Sequence, residues 1–330
     1  MSQHDMAYTR LSGTGLEISR LCLGCWNFGT EEPWMVGDEE AAHEIIDRAI
    51  DSGINVLDTA NVYSHGESER IVGNAIQGRR EELVVTSKVF GRMREGPNGR
   101  GLSRKHVLEQ VDRTLERLGT DYLDLYQIHR WDEHTPIEET LSALTHLVDE
   151  GKVRYVGAST MAAWQFTKAL YEADRQRYER FDSMQLEYSL VDRHEEQNLL
   201  PVCTDQNVGT LAWSPLAGGF LTGRYDRDDD PDDGSRAAED PYMQQRFTDE
   251  NWAVLDVVRD LAEVKDATMA QVSLAWLLHK DSVDAPIVGP TTVEELDDSV
   301  AALDVSLSDR EIERLEAPKS PSWSERKVPW

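Results

Sequence analysis

Asp58, Tyr63, Lys88 and His129 are the four side chains in this sequence whose types and spacing best suit proton chemistry. Asp58, Lys88 and His129 each close an apolar run of β-strand character, and Tyr63 lies in the turn just after Asp58. A phenol titrates near pH ~10, so Tyr63 gives up a proton readily at neutral pH only where its anion is stabilised. A lysine cation a few ångströms away does this, and a carboxylate can hold that lysine in place. Lys88 and Asp58 have the required chemistry, and neither is expected to stay unpaired inside a closed site. His129 is suited to hydrogen-bonding the oxygen of a carbonyl compound and orienting it. Taken singly, each residue has an ordinary structural reading: Asp58 a turn or cap, Tyr63 a loop aromatic, Lys88 a surface charge. Their arrival together at strand ends is what points to an enzyme whose acid is a phenol.

Strand and helix patterns that could position these groups alternate along the chain. A hairpin comes first, from Tyr8 to Arg10 and Glu17 to Ser19, turning at Ser12-Gly13-Thr14-Gly15. Strands are then predicted at 20–23, 54–57, 83–87, 122–128, 153–158, 183–187, 209–213 and 285–288. Amphipathic helices are predicted at 38–52, 68–77, 103–118, 136–150, 161–174, 195–206, 268–280 and 292–303. Asp38, Ser103 and Thr268 suit N-caps, Pro136 a first turn, and Gly53, Gly119 and Gly151 the helix ends. Eight strands alternating with eight helices predict an α/β chain folded as a closed (β/α)8 barrel, one domain over residues 1–330. An open doubly wound sheet is the alternative, but no GxGxxG follows the first strand. Residues 224–247 break the rhythm as a long acidic loop, followed by an extra helix near 249–265 before the eighth unit, and residues 318–330 form a tail. The aspartates from Asp228 to Asp233 lack the spacing of an EF-hand loop, so a solvated loop is expected there.

Composition narrows the function classes. Acidic residues number 62 against 34 basic ones, a net charge of −28, spread along the chain rather than gathered in a tail. Such a surface repels phosphate backbones and anionic lipid, so neither nucleic acid nor membrane is an expected partner. Only eight of the basic residues are lysine; abundant carboxylates with scarce lysine suit a salt-rich cytoplasm, where screening quiets self-repulsion. The N-terminal residues lack a charged-then-apolar signal pattern, and no run approaches the ~18 apolar residues of a membrane span. Cys22, Cys25 and Cys203 are too few for a disulfide framework and imply a reducing compartment. Cys22-Leu-Gly-Cys25 has the form of a metal or redox motif, but in a strand its two thiols face opposite sides; no metal is expected.

Several longer words carry a resemblance. They are Leu23-Gly-Cys-Trp-Asn, Asp58-Thr-Ala-Asn-Val-Tyr63 with Gly66-Glu-Ser-Glu69, and Val84-Val-Thr-Ser-Lys88. Next come Asp121-Tyr-Leu-Asp-Leu-Tyr-Gln-Ile-His129, Gly151-Lys-Val-Arg-Tyr-Val-Gly-Ala-Ser159, Gln185 and Trp213-Ser-Pro-Leu-Ala-Gly-Gly-Phe-Leu-Thr-Gly223. With these the chain resembles an aldo-keto reductase from end to end. The resemblance implies a (β/α)8 barrel that binds an extended NADP or NAD without a Rossmann motif and transfers hydride between the nicotinamide and a small-molecule aldehyde or ketone. It carries the family's catalytic tetrad to Asp58, Tyr63, Lys88 and His129. It places nicotinamide contacts on Ser159 and Gln185, the ring-stacking aromatic on Trp213, and the pyrophosphate loop on Ser214, Leu216 and Gly218. The adenosine end falls on the segment from Gly289 through Thr291 to Asp298. Trp26, Phe90, Trp131 and Trp34 are candidates for the substrate pocket's walls.

The sequence also departs from the family pattern. Thr160 stands where many relatives have Asn, and Gly219 where some have Arg. Between Gly289 and Asp298 there are four acids and no cation, with Glu295 near a position that is Arg in some relatives. The 2′-phosphate of NADPH would thus lack its usual partner, and NADH is expected to compete or be preferred, unless the N-terminal amides of the helix that begins near Thr292 hold the phosphate, or Arg193 or Arg246 reaches in from elsewhere. Two other readings stay open: a nucleotide-binding regulatory subunit on the same barrel with slow turnover, and a barrel hydrolase using Asp58 and Glu187 as paired carboxylates.

Overall fold

Short apolar runs separated by amphipathic segments of ten or more residues pair side by side, because each crossover helix returns the chain to the same edge. The computed structural model describes residues 6–30, 32–227 and 235–321. Two strands, β1 (Tyr8–Arg10) and β2 (Glu17–Ser19), form an antiparallel hairpin. Eight further strands follow: β3 (Cys22–Gly24), β4 (Val56–Asp58), β5 (Val84–Val89), β6 (Leu123–Ile128), β7 (Val153–Ser159), β8 (Ser183–Glu187), β9 (Gly209–Trp213) and β10 (Ala285–Val288). They are parallel and close into a barrel, β10 pairing with both β9 and β3. This is the (β/α)8 architecture expected from the alternation.

The pleat sorts side chains into two cores. Cys22, Val56, Val84, Leu125, Leu211 and Ala285 pack inside the barrel with Leu11 and Ile18 of the hairpin, which plugs its N-terminal end. A much larger cluster, including Cys25, Leu57, Val85, Tyr126, Val156 and Met184, lies between strands and helices. The two thiols of the Cys22–Cys25 motif therefore fall in different cores, both buried and unbridged. Among the described residues no cluster of His, Cys, Asp or Glu could hold a metal ion, and no helix is long and apolar enough to cross a membrane. The Asp228–Asp233 run lies outside the described residues.

Helix ends follow the local chemistry. Asp38 accepts from the Glu40 amide at 3.0 Å to start α1 (Glu39–Asp51). After α2 (Glu67–Ala75) comes α3 (Arg104–Leu118), capped by Ser103 and ended by Gly119 at φ +64°, a conformation that favours glycine. Helices α4 (Ile137–Asp149) and α5 (Ala163–Gln176) follow as expected, with Pro136 at the N-cap rather than inside the first turn. The helix expected over 195–206 is broken: a 3₁₀ turn at His194–Gln197 precedes α6 (Leu199–Gln206). Pro201 explains the break, since its ring has no amide hydrogen and would meet the carbonyl of Gln197 in a continuous helix. Within the acidic loop, the described part carries two single-turn helices, α7 (Arg236–Glu239) and α8 (Pro241–Gln244), where the sequence predicts none. The extra helix α9 (Asp249–Lys265) lies where expected, followed by α10 (Met269–Leu278), α11 (Val293–Ala301) and α12 (Asp309–Glu316).

Candidate active site

Barrel closure brings the four proton-capable residues together at the C-terminal ends of β4, β5 and β6. Register pairs Asp58 with Thr86 and Lys88 with Gln127, so polar side chains of neighbouring strands meet inside the mouth. Lys88 is fully buried and Asp58 nearly so. Lys88 Nζ donates to Asp58 Oδ2 at 2.6 Å, to the Thr59 carbonyl at 3.0 Å and to Tyr63 Oη at 3.2 Å. The other oxygen of Asp58 accepts from Thr86 Oγ1 at 2.5 Å, Gln185 Nε2 at 2.9 Å and Gln127 Nε2 at 3.3 Å. The carboxylate is thus held on both oxygens, and the cation it fixes is aimed at the phenol. His129 stands edge-on to Tyr63, ring centres 5.6 Å apart.

Electrostatics assign the protons. Burial lowers the Lys88 pKa, but Asp58 and Tyr63 outweigh it and hold it above the ordinary lysine value. Burial likewise pushes the Tyr63 phenol up; Lys88 pulls it down, Asp58 pushes up again, and the net direction is upward. Tyr63 is therefore protonated at neutral pH, with the Lys88 cation 3.2 Å from its oxygen. Burial, then Lys88 and Arg130, hold His129 well below the imidazole range, so its ring is neutral.

One step back from the mouth, Glu69 is fully buried under β5. It accepts from Ser87 Oγ at 2.5 Å, Arg117 Nε at 2.6 Å and Thr114 Oγ1 at 2.9 Å. This ties α2 and α3 to the strand that carries Lys88, and gives the Gly66-Glu-Ser-Glu69 word a structural basis.

A cavity of about 890 Å³ opens over the tetrad. It runs from Trp26, Trp34 and Phe90 past Asp58, Tyr63 and His129 to Ser159, Gln185 and Trp213. It continues along Ser214, Leu216 and Gly218 to Gly289, Thr291 and Asp298. All the expected cofactor contacts therefore line one space. Thr160 also lines it, at φ +47°, a left-handed conformation more common for Asn, and its hydroxyl lies 3.1 Å from Ser159 Oγ. Asp298 is engaged by Thr268 Oγ1 at 2.9 Å and Gln271 Nε2 at 2.7 Å. Trp131 is the exception among the expected pocket walls. It packs against Trp164, ring centres 6.1 Å apart, outside the cavity lining. β6 ends at Ile128, so the side-chain alternation that would have kept Trp131 on the side of His129 no longer applies.

Five arginines at the cavity, Arg92, Arg100, Arg130, Arg224 and Arg236, are not singled out by the sequence. Arg224, just after Gly223, donates to Glu295 Oε1 at 2.7 Å, while Glu295 Oε2 accepts from the Thr291 amide at 2.8 Å. Burial raises the Glu295 pKa, but the Thr291 amide and Arg224 outweigh it and keep the carboxyl below its ordinary range. Arg236, on α7, lies over Trp26 and Trp34, 4.6 and 5.2 Å from their ring centres. A Cβ added at Gly218 would come within 3.3 Å of Arg236 Cζ, and one at Gly219 within 3.5 Å of Arg224 Cζ. Two guanidiniums thus flank this glycine pair. Arg193 and Arg246, the cations expected to reach the adenosine end, are instead paired elsewhere: Arg193 with Glu196 and Glu316, Arg246 with Glu187 and Asp192. Glu187 also accepts from Tyr242 Oη at 2.8 Å and lies outside the cavity lining. Asp58 is bound to Lys88 at the cavity and Glu187 to Arg246 outside its lining, so these two carboxylates do not face one site as a hydrolase pair would.

Comparison with known proteins points the same way. A profile of the Aldo/keto reductase family matches residues 20–319. The chain is 39% identical over 338 residues to versiconal hemiacetal acetate reductase of Aspergillus parasiticus, covering 96% of this chain and 98% of that one. It is 39% identical over 321 residues to an uncharacterised oxidoreductase of Bacillus subtilis, covering 94% of each chain. It is also 36% identical over 308 residues to a protein named as a probable voltage-gated potassium channel subunit beta of Arabidopsis thaliana, covering 91% of this chain and 92% of that one.

Proposed function

Because the chain belongs to the aldo/keto reductase family, we propose that it is an NAD(P)H-dependent reductase of aldehydes or ketones, with Tyr63 as the general acid. The observation that carries this is Lys88 Nζ, bonded to both Asp58 and Tyr63 Oη beneath the cavity. The cavity also suits a dinucleotide: an indole face at Trp213, two guanidiniums beside Gly218 and Gly219 for a pyrophosphate, and polar groups from Gly289 onward. When bound there, a reduced nicotinamide supplies the hydride. His129, neutral, offers a ring N–H to the substrate oxygen and orients the carbonyl. Tyr63 Oη gives its proton to that oxygen, and Lys88 offsets the charge left on the phenolate. The product is an alcohol; in the reverse direction Tyr63 is the base. The match to a channel-subunit relative keeps a regulatory reading in view, and one experiment separates the two. Fluorescence titration with NADH and NADPH, followed by turnover of simple aldehydes, is expected to give binding and steady catalysis. Binding with no turnover would favour the regulatory role.

Cofactor choice follows from Glu295. Its carboxylate holds Arg224 through one hydrogen bond and repels a 2′-phosphate, so NADH is expected to be used competitively with NADPH. In Glu295→Gln, Arg224 is released and a negative charge is removed. The ratio of kcat/KM for NADPH to that for NADH should rise about tenfold, equivalent to about 1.4 kcal/mol, and the ratio of Kd values should move with it. An unchanged ratio would place discrimination elsewhere.

The pKa directions set the pH profile. The acid must be protonated, and Tyr63 is held above its ordinary value, so reduction should not lose rate through Tyr63 below about pH 10. His129 is held well below its ordinary value and stays neutral. A flat kcat/KM between about pH 7 and 9 is expected; a fall centred in that range would assign the acid to another group.

We also infer that the net charge of −28 suits concentrated salt. Raising KCl from 0.1 to 1 M shortens the screening length from ~10 Å to ~3 Å. The thermal midpoint should rise over that range; a flat or falling dependence would contradict this reading.

A further inference from the structure

Acids outnumber bases nearly two to one in the chain, yet the cavity reverses this balance. Among the described residues that line it, five are arginines and three are carboxylates. Each carboxylate is engaged: Asp58 by Lys88, Glu295 by Arg224, Asp298 by Thr268 and Gln271. Arg224 and Arg236 belong to the glycine-rich end and are suited to a pyrophosphate. The other three, Arg92, Arg100 and Arg130, come from the loops after β5 and β6, the strands that carry Lys88 and lead into His129. No carboxylate from those two loops lines the cavity.

Two of these arginines converge on one ring. The guanidinium carbon of Arg100 lies 5.4 Å from the centre of Phe90, and that of Arg130 lies 5.7 Å from it. Arg100 makes no ion pair among the described residues. Arg130 is partly buried, and burial together with the like charge of Arg100 lowers its pKa. Both guanidiniums thus stand beside one ring that lines the cavity, where an anion would meet two cations at once. An aromatic flanked by guanidiniums also suits a planar group, and a guanidinium fork matches a carboxylate in particular.

We propose that the substrate is an anionic carbonyl compound, an aldehyde or ketone bearing a carboxylate that is held by Arg100 and Arg130 at Phe90 while its carbonyl reaches Tyr63 and His129. This rests on the reductase reading above and names the substrate class for it. The three arginines give the pocket a positive field inside a strongly negative protein, so anionic substrates are also drawn towards the mouth, more weakly as salt rises.

The test uses matched acid and ester pairs: 4-formylbenzoate against its methyl ester, and 4-oxobutanoate against its methyl ester. Initial rates are measured with saturating reduced cofactor, at the lowest KCl that keeps the wild-type protein folded. In at least one pair kcat/KM for the acid should exceed that for the ester at least tenfold. Benzoate, which has no carbonyl to reduce, should compete with the aldehyde. Arg100→Gln and Arg130→Gln should each bring the acid-to-ester ratio down at least fivefold, and Arg100→Lys should retain more of it than Arg100→Gln. Arg100 is exposed, so its variants test the proposal even if Arg130→Gln does not fold. Esters used as well as the acids in both pairs, or a ratio unchanged in both Arg100 variants, would overturn the anionic assignment and leave the reductase reading intact. No turnover of any of the four compounds, nor of other simple aldehydes, would overturn both.

Discussion

Tyr63→Phe is expected to lower kcat by about 10²–10⁴-fold, the usual contribution of a general acid, while leaving the Kd for reduced cofactor close to the wild-type value. The phenol oxygen is bonded to Lys88 and faces the cavity, so its removal takes away the proton source while the ring can keep its packing against His129. Because the lost interaction is made in the transition state, kcat and kcat/KM should fall together. Retention of more than about a tenth of wild-type kcat would mean that another group delivers the proton.

Lys88→Met should also be nearly inactive, and unlike Tyr63→Phe it should be unstable. Methionine fills much of the volume but leaves the buried Asp58 carboxylate without its cation. Breaking a buried ion pair from one side costs about 3–5 kcal/mol, part of which protonation of Asp58 would offset. Denaturant unfolding should show this as a lower midpoint. Adding Asp58→Asn to Lys88→Met removes the stranded charge while an amide oxygen can still accept from Thr86 and Gln185. The double variant should regain stability without regaining turnover. Recovery of both would show that Lys88 is needed only to hold the fold; recovery of neither would show that the stranded charge is not the source of the damage.

The barrel and the convergence of Asp58, Tyr63, Lys88 and His129 at its mouth are legible in the sequence because both depend on local signals. β8, β9 and β10 match the predicted strands residue for residue, since apolar runs bounded by turns leave little choice of ends. β3 begins at Cys22 rather than at Arg20, whose guanidinium reaches the carbonyls of Leu278 and Val283 in the neighbouring segment from the end of α10 to β10. Position at a strand's C-terminal end then places Asp58, Lys88 and His129 in the mouth without any knowledge of loops. What is not legible depends on how loops return. Arg224 and Arg236 belong to a segment whose periodicity does not say where it lies; Arg236 reaches the cavity because Arg246 anchors the chain behind it to Glu187 and Asp192. The same partners explain why Arg246 does not serve the adenosine end. Trp131 fails as a pocket wall for a related reason, since strand alternation stops predicting direction once the strand has ended. The net upward direction of the Tyr63 pKa is likewise hidden, because it depends on how burial balances against Lys88.

Hydride passing from a nicotinamide to a carbonyl carbon within this barrel leaves an isotopic trace. The most direct measurement uses NADH or NADPH carrying deuterium at both C4 positions, with an aldehyde in unlabelled water and the alcohol read by mass spectrometry. The expected product gains one deuterium on the carbinol carbon, with the hydroxyl proton exchanging with water. Alcohol without deuterium, or cofactor bound with no alcohol formed under any of the conditions above, would contradict it.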